Sequence, residues 1–352
     1  MDIIFNPPVN PANKYIAIMA DPLVDSGYRV HPLYGFFSSL RHFRSIKLVH
    51  LNWFENLDDS SYAKMMTSFF RKSLVLSVIR MSNKKLVWTM HNRVSHEKNS
   101  GRLSQILTDK LVKHADAIII HCEQSRDLLL AKYPSIGSKI HYLTHPDFIG
   151  SYGPIQEEIE PKAQLRLLFL GAIKPYKNIE LLINVAGQFG SKLELTIAGN
   201  PNSTEYRKRL SNLAGKYPNI ILRLEFIPDS EIPKLIGDCD LLVLPYDLNS
   251  SLNSGTVILA FSYQKSVICP EIGTLKDMHE MKENFLSYTY QSEEDHVSKL
   301  KKMIETAYQK KRADPEVFQK MGGKMYMHIK QNYAKNMVAD KLKQVYQSVL
   351  KS

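Results

Sequence analysis

Asp240-Leu-Leu-Val-Leu-Pro-Tyr-Asp-Leu-Asn-Ser-Ser-Leu-Asn-Ser-Gly-Thr-Val-Ile-Leu-Ala-Phe-Ser-Tyr-Gln-Lys-Ser-Val-Ile268 is the stretch from which the fold can be read. Residues 241–244 are a short apolar run that suits a strand buried on both faces; Pro245 stops it, and a second such run starts at Ser266. Between them a polar loop over 247–254 ends at Asn253-Ser254-Gly255-Thr256, small residues whose hydroxyls can cap a helix. Val257, Ala260 and Phe261 then recur at helical spacing. The order is strand, polar loop, helix start, strand. Free backbone N–H groups and the positive end of a helix dipole at residues 254–256 suit an anion, and Gly255 lets a phosphate approach the backbone. The spacing alone also fits an ordinary capped helix of any βαβ unit.

Outward from this stretch the same rhythm continues. Apolar runs over 165–169, 193–197, 220–224 and 267–269 alternate with helical patterns, the spacing of parallel βαβ units. In the first half, strands are expected over 3–5, from 28, and over 47–51, 86–90, 117–121 and 139–143. Helices are expected over 13–25, broken at Pro22 and stopped by Gly27, and over 61–82 and 123–132. From Glu293 the pattern is helical, with breaks near Pro315 and Gly322-Gly323. A chain of 352 residues exceeds one core. Residues 151–161, with Gly153, Pro154, Pro161 and a run of glutamates, have the composition of a linker. The fold class is therefore α/β: two Rossmann-like, doubly wound parallel-sheet domains, over 1–155 and 162–334.

The net charge of +11 lies more in the first half than in the second. Acidic residues are interspersed, and neither zinc-finger spacing nor an aromatic and basic RNA-binding signature occurs, so nucleic acid is not the partner; an anionic ligand or surface is. The start of the chain lacks a secretory signal, and no long uncharged apolar run occurs, so a cytoplasmic protein is expected. Cys122, Cys239 and Cys269 are far apart and sit in or beside apolar runs, which suits buried thiols. Residues 61–85 combine apolar residues at helical spacing with Lys64, Arg71, Lys72, Arg80, Lys84 and Lys85. That pattern fits a helix packed on its sheet with a solvated basic edge. It also fits a surface resting on anionic lipid, which would place the protein peripherally on the inner face of the plasma membrane.

Two blocks carry a family resemblance. Pro245-Tyr246, Asn253-Ser254-Gly255-Thr256, residues 260–263 and Val267-Ile268 resemble the nucleotide-sugar loop of GT-B glycosyltransferases of family 4 and its near relatives. Leu170-Gly171-Ala172-Ile173-Lys174-Pro175-Tyr176-Lys177-Asn178, followed by residues 181–183, is similar to the family's glycine strand end and basic diphosphate-binding segment. The resemblance implies a donor site of Gly171, Lys174, Lys177, Tyr246, Asn253, Ser254, Gly255 and Thr256, with Lys177 and Lys174 stabilising the departing diphosphate in place of a metal. Phe226 and Pro228 resemble the turn beside the nucleobase. It further implies no cofactor, a last helix over 335–352 that returns to the N-terminal domain, and a bacterial surface-polysaccharide role with a glycan or lipid-linked acceptor. The family's paired glutamates are not matched: Ser251 and Leu259 stand in their places, the second where the ribose is usually held.

Open parallel sheets bind ligands at the carboxyl ends of their strands, which puts His50, Asn52, His91 and Asn92 near one crevice of the first domain. Residues 91–97, including His96-Glu97, resemble a segment of bacterial family 4-like transferases, and Asn13 and Tyr15 match polar positions at the first helix start. His91 is accordingly a candidate catalytic residue, and Asn13, His50, Asn52 and Asn92 candidate acceptor contacts. Asp238-Cys239-Asp240 has Asp-x-Asp spacing but lies at the amino end of its strand, and His141 and His145 lie on a strand and its exit, so no metal site is assigned. Competing readings are a sugar-nucleotide 2-epimerase of the same architecture, a nonenzymatic GT-B-like partner subunit, and a nicotinamide oxidoreductase, which lacks its Gly-x-Gly-x-x-Gly turn.

Overall fold

The computed structural model describes residues 1–10, 13–58, 60–93, 101–156 and 163–351. His96 and Glu97, and the glutamates and Pro161 at the end of the expected linker, lie outside the described residues. The chain divides into two compact units, Met1–Pro146 with Tyr333–Ser352, and Asp147–Asn332.

The first unit holds β1 (Asp2–Asn6), β2 (Arg29–His31), β3 (Ile46–Asn52), β4 (Lys85–Met90), β5 (Ala117–Ile120) and β6 (Ile140–Tyr142). They form one parallel sheet in the order β2-β1-β3-β4-β5-β6. The strand sequences are short and apolar because helices cover both faces, and Ala117 to Ile120 are all fully buried. Sequence order reverses between β1 and β3, which makes their carboxyl ends the place where such a sheet opens a crevice.

The second unit repeats the plan with β7 (Leu165–Leu170), β8 (Leu193–Ala198), β9 (Ile220–Arg223), β10 (Leu241–Val243), β11 (Ser266–Pro270) and β12 (Leu286–Tyr288). Their order is β12-β11-β10-β7-β8-β9, again parallel, with the reversal between β7 and β10. At the amino end of β10, Asp240 accepts from the backbone N–H (2.7 Å) and guanidinium (2.9 Å) of Arg166 and from Lys311 (2.5 Å). All three are nearly fully buried, so Asp240 is occupied in tying the Glu293–Ala313 helix to the sheet.

The last helix, Lys335–Lys351, packs on the first sheet as the resemblance implies, with Val338, Leu342, Val345, Tyr346 and Val349 joining the core of Ile3, Phe5, Tyr15 and Leu48. Several local expectations need correction. The first helix runs Tyr15–Asp25 without a break at Pro22, and ends where Gly27 takes φ +84°. Gly322 and Gly323 do not interrupt Val317–Asn332; a Cβ on Gly322 would sit 1.9 Å from the Gln264 carbonyl oxygen, so the glycine serves close helix-to-loop packing. The chain just before and at the start of the expected linker is fastened within the second unit: Phe148 N–H donates to Ser262 (3.0 Å) and Tyr152 N–H to the Tyr263 hydroxyl (3.0 Å), which in turn donates to Gly153 O (2.9 Å). The Leu40–Ser45 and Gly101–His114 helices and β12 add to the expected elements.

Candidate functional site

At the reversal point of the second sheet, two strand exits meet. After β7 the chain turns at Gly171 (φ +132°), where a Cβ would lie 3.4 Å from Lys177 Nζ and 3.7 Å from Thr256 Oγ1. The bare glycine therefore keeps open the space on which this ammonium and hydroxyl converge. Lys177 closes the Pro175–Lys177 turn, and Asn178 follows with φ +55°, a conformation asparagine tolerates. The Asn178 amide donates to Pro245 O (2.9 Å), which ties the β7 exit to the β10 exit. Asn178 was quoted within the motif without a role; its left-handed backbone and cross-link emerge only in three dimensions.

After β10, Tyr246 is buried, and its hydroxyl accepts from Ser254 Oγ (3.1 Å). Ser254 Oγ in turn accepts from Val257 N–H (3.2 Å), capping the Gly255–Ser262 helix, while Ser254 N–H donates to Thr274 (3.1 Å). A second tyrosine, Tyr290 beyond β12, holds the loop from outside: its hydroxyl donates to Tyr246 O (3.1 Å) and accepts from Leu248 N–H (2.9 Å). Gly171, Lys177, Thr256, Ser254 and Tyr246 are thus brought together. Asn253 stands beside the cap and Gly255 begins the helix. Lys174 is exposed at the rim, whereas Phe226 (57% exposed) and Pro228 follow the edge strand β9, with β8 between them and β7.

Lys177 is the electrostatic centre of this group. Burial first, and the like charge of Lys174 second, depress its pKa to about 8. Its Nζ lies 5.7 Å from the Phe169 ring centroid and 5.8 Å from that of Tyr246, and no carboxylate among the described residues pairs with it. An ammonium held over two aromatic rings beside a capped helix start favours an anion in the space above Gly171. Ser251 and Leu259 are both buried, and Leu259 is part of the helix that carries Thr256, so neither position offers a carboxylate.

The first unit gathers a ring cluster at the carboxyl ends of its strands. Tyr15 stands at its centre, with His91, His121 and His145 at ring-centroid distances of 5.2, 5.5 and 5.1 Å. Tyr15 OH and His121 Nε2 are 2.9 Å apart, and His121 Nδ1 and Leu143 O 2.8 Å. Since a carbonyl only accepts, Nδ1 carries the His121 proton and the tyrosine donates to Nε2. Burial pushes His50 and His145 down to about 3 and His121 to about 4, and also lowers His91, so the cluster is neutral near pH 7.

His91 and Asn52 are within this cluster: His91 Nε2 lies 3.0 Å from Asn52 Oδ1, and Trp53 stacks on the His91 ring at 4.0 Å. His50 is not available to an acceptor. It is fully buried, with Nδ1 2.6 Å from the Tyr346 hydroxyl and Nε2 2.7 Å from Thr89 Oγ1, so it fastens the last helix to β3. Asn13 Oδ1 accepts from Tyr15 N–H (2.9 Å) and shapes the first helix start. Asn92 is half-buried just beyond β4. His121, His145 and Trp53 had no assigned role from sequence; their common signal, a polar or aromatic residue at a strand exit, was present for each.

The basic residues of 61–85 divide in two. Lys72 donates to Phe54 O (3.0 Å) and Asn56 O, Lys84 to Phe43 O (2.5 Å) and Ile46 O (2.8 Å), and Lys85 pairs with Asp116 (3.4 Å). These three hold the fold together. Lys64, Arg71 and Arg80 are exposed, beside Phe70 (62%), Leu74 (62%) and Met81 (77%) on the Tyr62–Met81 helix. Among the described residues no helix is long and apolar enough to cross a membrane.

Residues 155–317 match the family described as glycosyl transferases group 1. The second unit is a glycosyl transferases group 1 domain. The chain is 26% identical over 265 residues to a GDP-mannose:glycolipid 4-beta-D-mannosyltransferase of Xanthomonas campestris pv. campestris, covering 73% of this chain and 70% of that one. Among solved structures it is similar to sucrose-phosphate synthase of Thermosynechococcus elongatus (TM-score 0.74, 14% identity, 99% and 98% of the two chains). It is also similar to Anabaena HepE in complex with UDP-glucose (TM-score 0.70, 12% identity, 99% of each chain). At these identities the solved structures speak for the fold, which is the two-sheet GT-B architecture.

Proposed function

We propose that this protein is a GT-B glycosyltransferase that moves a hexose from a nucleotide-diphosphate sugar to a lipid-linked saccharide in bacterial surface-polysaccharide synthesis, with GDP-mannose the first donor to test. The observation that carries the reading is the convergence of Lys177 Nζ and Thr256 Oγ1 on the space above Gly171, beside a capped helix start. Breaking the glycosidic bond puts negative charge on the leaving diphosphate while the sugar carbon becomes cationic, so cations and N–H groups aimed at the diphosphate lower the barrier. Lys177, Lys174, Gly171, Thr256 and the N–H groups at the helix start perform that task without a metal. Tyr246, Asn253 and Ser254 shape the loop, and Phe226 and Pro228 flank the base. The acceptor belongs to the first unit, where Asn52 and Asn92 stand beside His91, whose imidazole touches a sugar hydroxyl. The likeness to a glycolipid mannosyltransferase supports the donor and acceptor classes. An epimerase would need no acceptor, and nothing in the site or the relatives favours it.

Thermal-shift measurements with GDP, UDP, ADP, CDP and dTDP test the donor site. At one hundred times Kd a bound nucleotide stabilises by about 2.7 kcal/mol, several degrees in Tm. One diphosphate should raise Tm and the others less; no shift with any of them argues for a subunit without a donor site.

A lipid-linked acceptor brings the enzyme to the membrane surface, and the exposed face of the Tyr62–Met81 helix supplies the contact. Phe70, Leu74 and Met81 are spaced to share one face, flanked by Arg71 and Arg80. Vesicles containing phosphatidylglycerol should bind the protein and release it as salt rises. Arg71→Gln with Arg80→Gln should weaken binding about thirtyfold at low salt, at about 1 kcal/mol per cation. Unchanged binding by a folded double variant removes the membrane assignment, and leaves the donor site untouched.

A further inference from the structure

Trp53 follows β3 at the point where the order of the first sheet reverses. It takes φ +50°, a left-handed backbone that bulky residues avoid. Two of the other three described non-glycine residues with positive φ are asparagines, Asn83 and Asn178, which tolerate it, and the third is Gln264. A large aromatic ring is kept in an unfavourable backbone conformation only where the surroundings over-determine it, and such positions concentrate at functional sites. Here the ring lies on His91, with centroids 4.0 Å apart and planes 17° from parallel, while Tyr15 meets Trp53 edge-on at 5.9 Å and His91 edge-on at 5.2 Å. The imidazole is therefore clamped between a stacked face and a perpendicular edge.

Its proton is placed as well. Asn52 Nδ2 donates to Asn6 O (3.3 Å), which turns Oδ1 toward His91 Nε2 at 3.0 Å. Oδ1 only accepts, so Nε2 carries the hydrogen, and Nδ1 of the neutral ring is the lone-pair nitrogen. The titratable groups around the ring, Tyr15, His50, His121 and His145, are buried and neutral at pH 7, and burial lowers His91 in the same direction. Plane and tautomer are thus set by different residues: Trp53 and Tyr15 fix the first, Asn52 the second.

We propose that Trp53 is a positioning residue for sugar transfer, its strained backbone holding the indole flat on His91 so that the imidazole meets the substrate in one orientation. The proposal rests on the reading of His91 given above. A misplacement of about 1 Å in such a group costs roughly a hundredfold, so loss of the clamp should appear in kcat and not in donor affinity.

The test compares Trp53→Phe, which keeps a stacked ring, with Trp53→Asn, which removes it while suiting the left-handed backbone, each also in a His91→Ala background. If Trp53→Asn does not fold, Trp53→Leu takes its place. Trp53→Asn should lose about tenfold or more in kcat with little change in donor KM, and Trp53→Phe should recover most of it. Proton NMR should show the His91 ring protons shifted upfield by the stacked ring in wild type and in Trp53→Phe, and not in Trp53→Asn. In the His91→Ala background, Trp53→Asn should cost almost nothing further. Wild-type turnover in a folded Trp53→Asn or Trp53→Leu protein overturns the proposal, as does a full independent loss in the His91→Ala background, which would mean packing alone. If His91→Ala itself keeps wild-type turnover, the reading of His91 fails and takes this proposal with it; a loss there with none at Trp53 sinks the proposal only.

Discussion

Lys177→Ala should fold as the wild type does and lose turnover by a few hundredfold. The fold is spared because no carboxylate among the described residues is left unpaired, and because removing a partly buried ammonium lifts a desolvation cost. In the proposed donor site turnover falls because the charge is aimed at the space above Gly171, where that proposal puts the leaving diphosphate; one lost donor in a water-excluding site costs about 3 to 4 kcal/mol. Lys177→Arg should retain part of the activity, and Lys174→Ala should worsen the Lys177→Ala variant, since Lys174 is the nearest remaining cation. The pH profile follows from the same group. With a free-enzyme pKa of about 8, the ammonium is charged below that value and lost above it, so kcat/KM for the donor should fall tenfold per unit once pH exceeds about 8. Kcat should fall later, because a bound diphosphate holds the proton on. Steady-state kinetics across pH 6 to pH 10 measure both; wild-type turnover by Lys177→Ala refutes the donor-site assignment.

His91→Ala should lower kcat by about a hundredfold or more, the usual effect of losing a positioned polar group at a reacting centre. His91 is 7% exposed, tautomer-set by Asn52 and clamped by Trp53 and Tyr15, an arrangement more constrained than core packing requires. His91→Gln should recover little, since an amide does not stack as imidazole does. Thermal unfolding of each variant separates this loss from instability: a folded His91→Ala enzyme at wild-type rate returns His91 to a structural role.

Much of the architecture was legible because buried parallel strands need little beyond a run of branched or aliphatic residues between polar turns. Residues 241–244 and 165–169 announce themselves that way. The convergence on which the donor-site proposal rests was legible for a related reason. Gly171, Lys177 and Thr256 stand at the exits of two such strands, and the reversal of strand order brings those exits side by side. His50 shows where this reasoning stops. Its strand-end position resembled that of His91, but its partner Tyr346 lies on the last helix, 296 residues on, and no local pattern announces that pairing. Lys72, Lys84 and Lys85 looked like a solvated basic edge because periodicity records which face a side chain takes, not which backbone carbonyls its tip reaches. Trp53 was hidden for a third reason: its significance lies in a backbone angle that residue type argues against.

The central claim, transfer of a sugar from a nucleotide diphosphate to a glycolipid by a basic site acting in place of a metal, is tested most directly by a transfer assay. Radiolabelled GDP-mannose and UDP-glucose are supplied in turn, with extracted bacterial lipid-linked saccharides as acceptor and EDTA present, to wild type and Lys177→Ala. The account predicts label in the glycolipid fraction from one donor with wild type, undiminished by EDTA, and a few hundredfold less with Lys177→Ala. Release of free sugar or an epimer without labelled glycolipid, or transfer that EDTA abolishes and Lys177→Ala leaves intact, would contradict it.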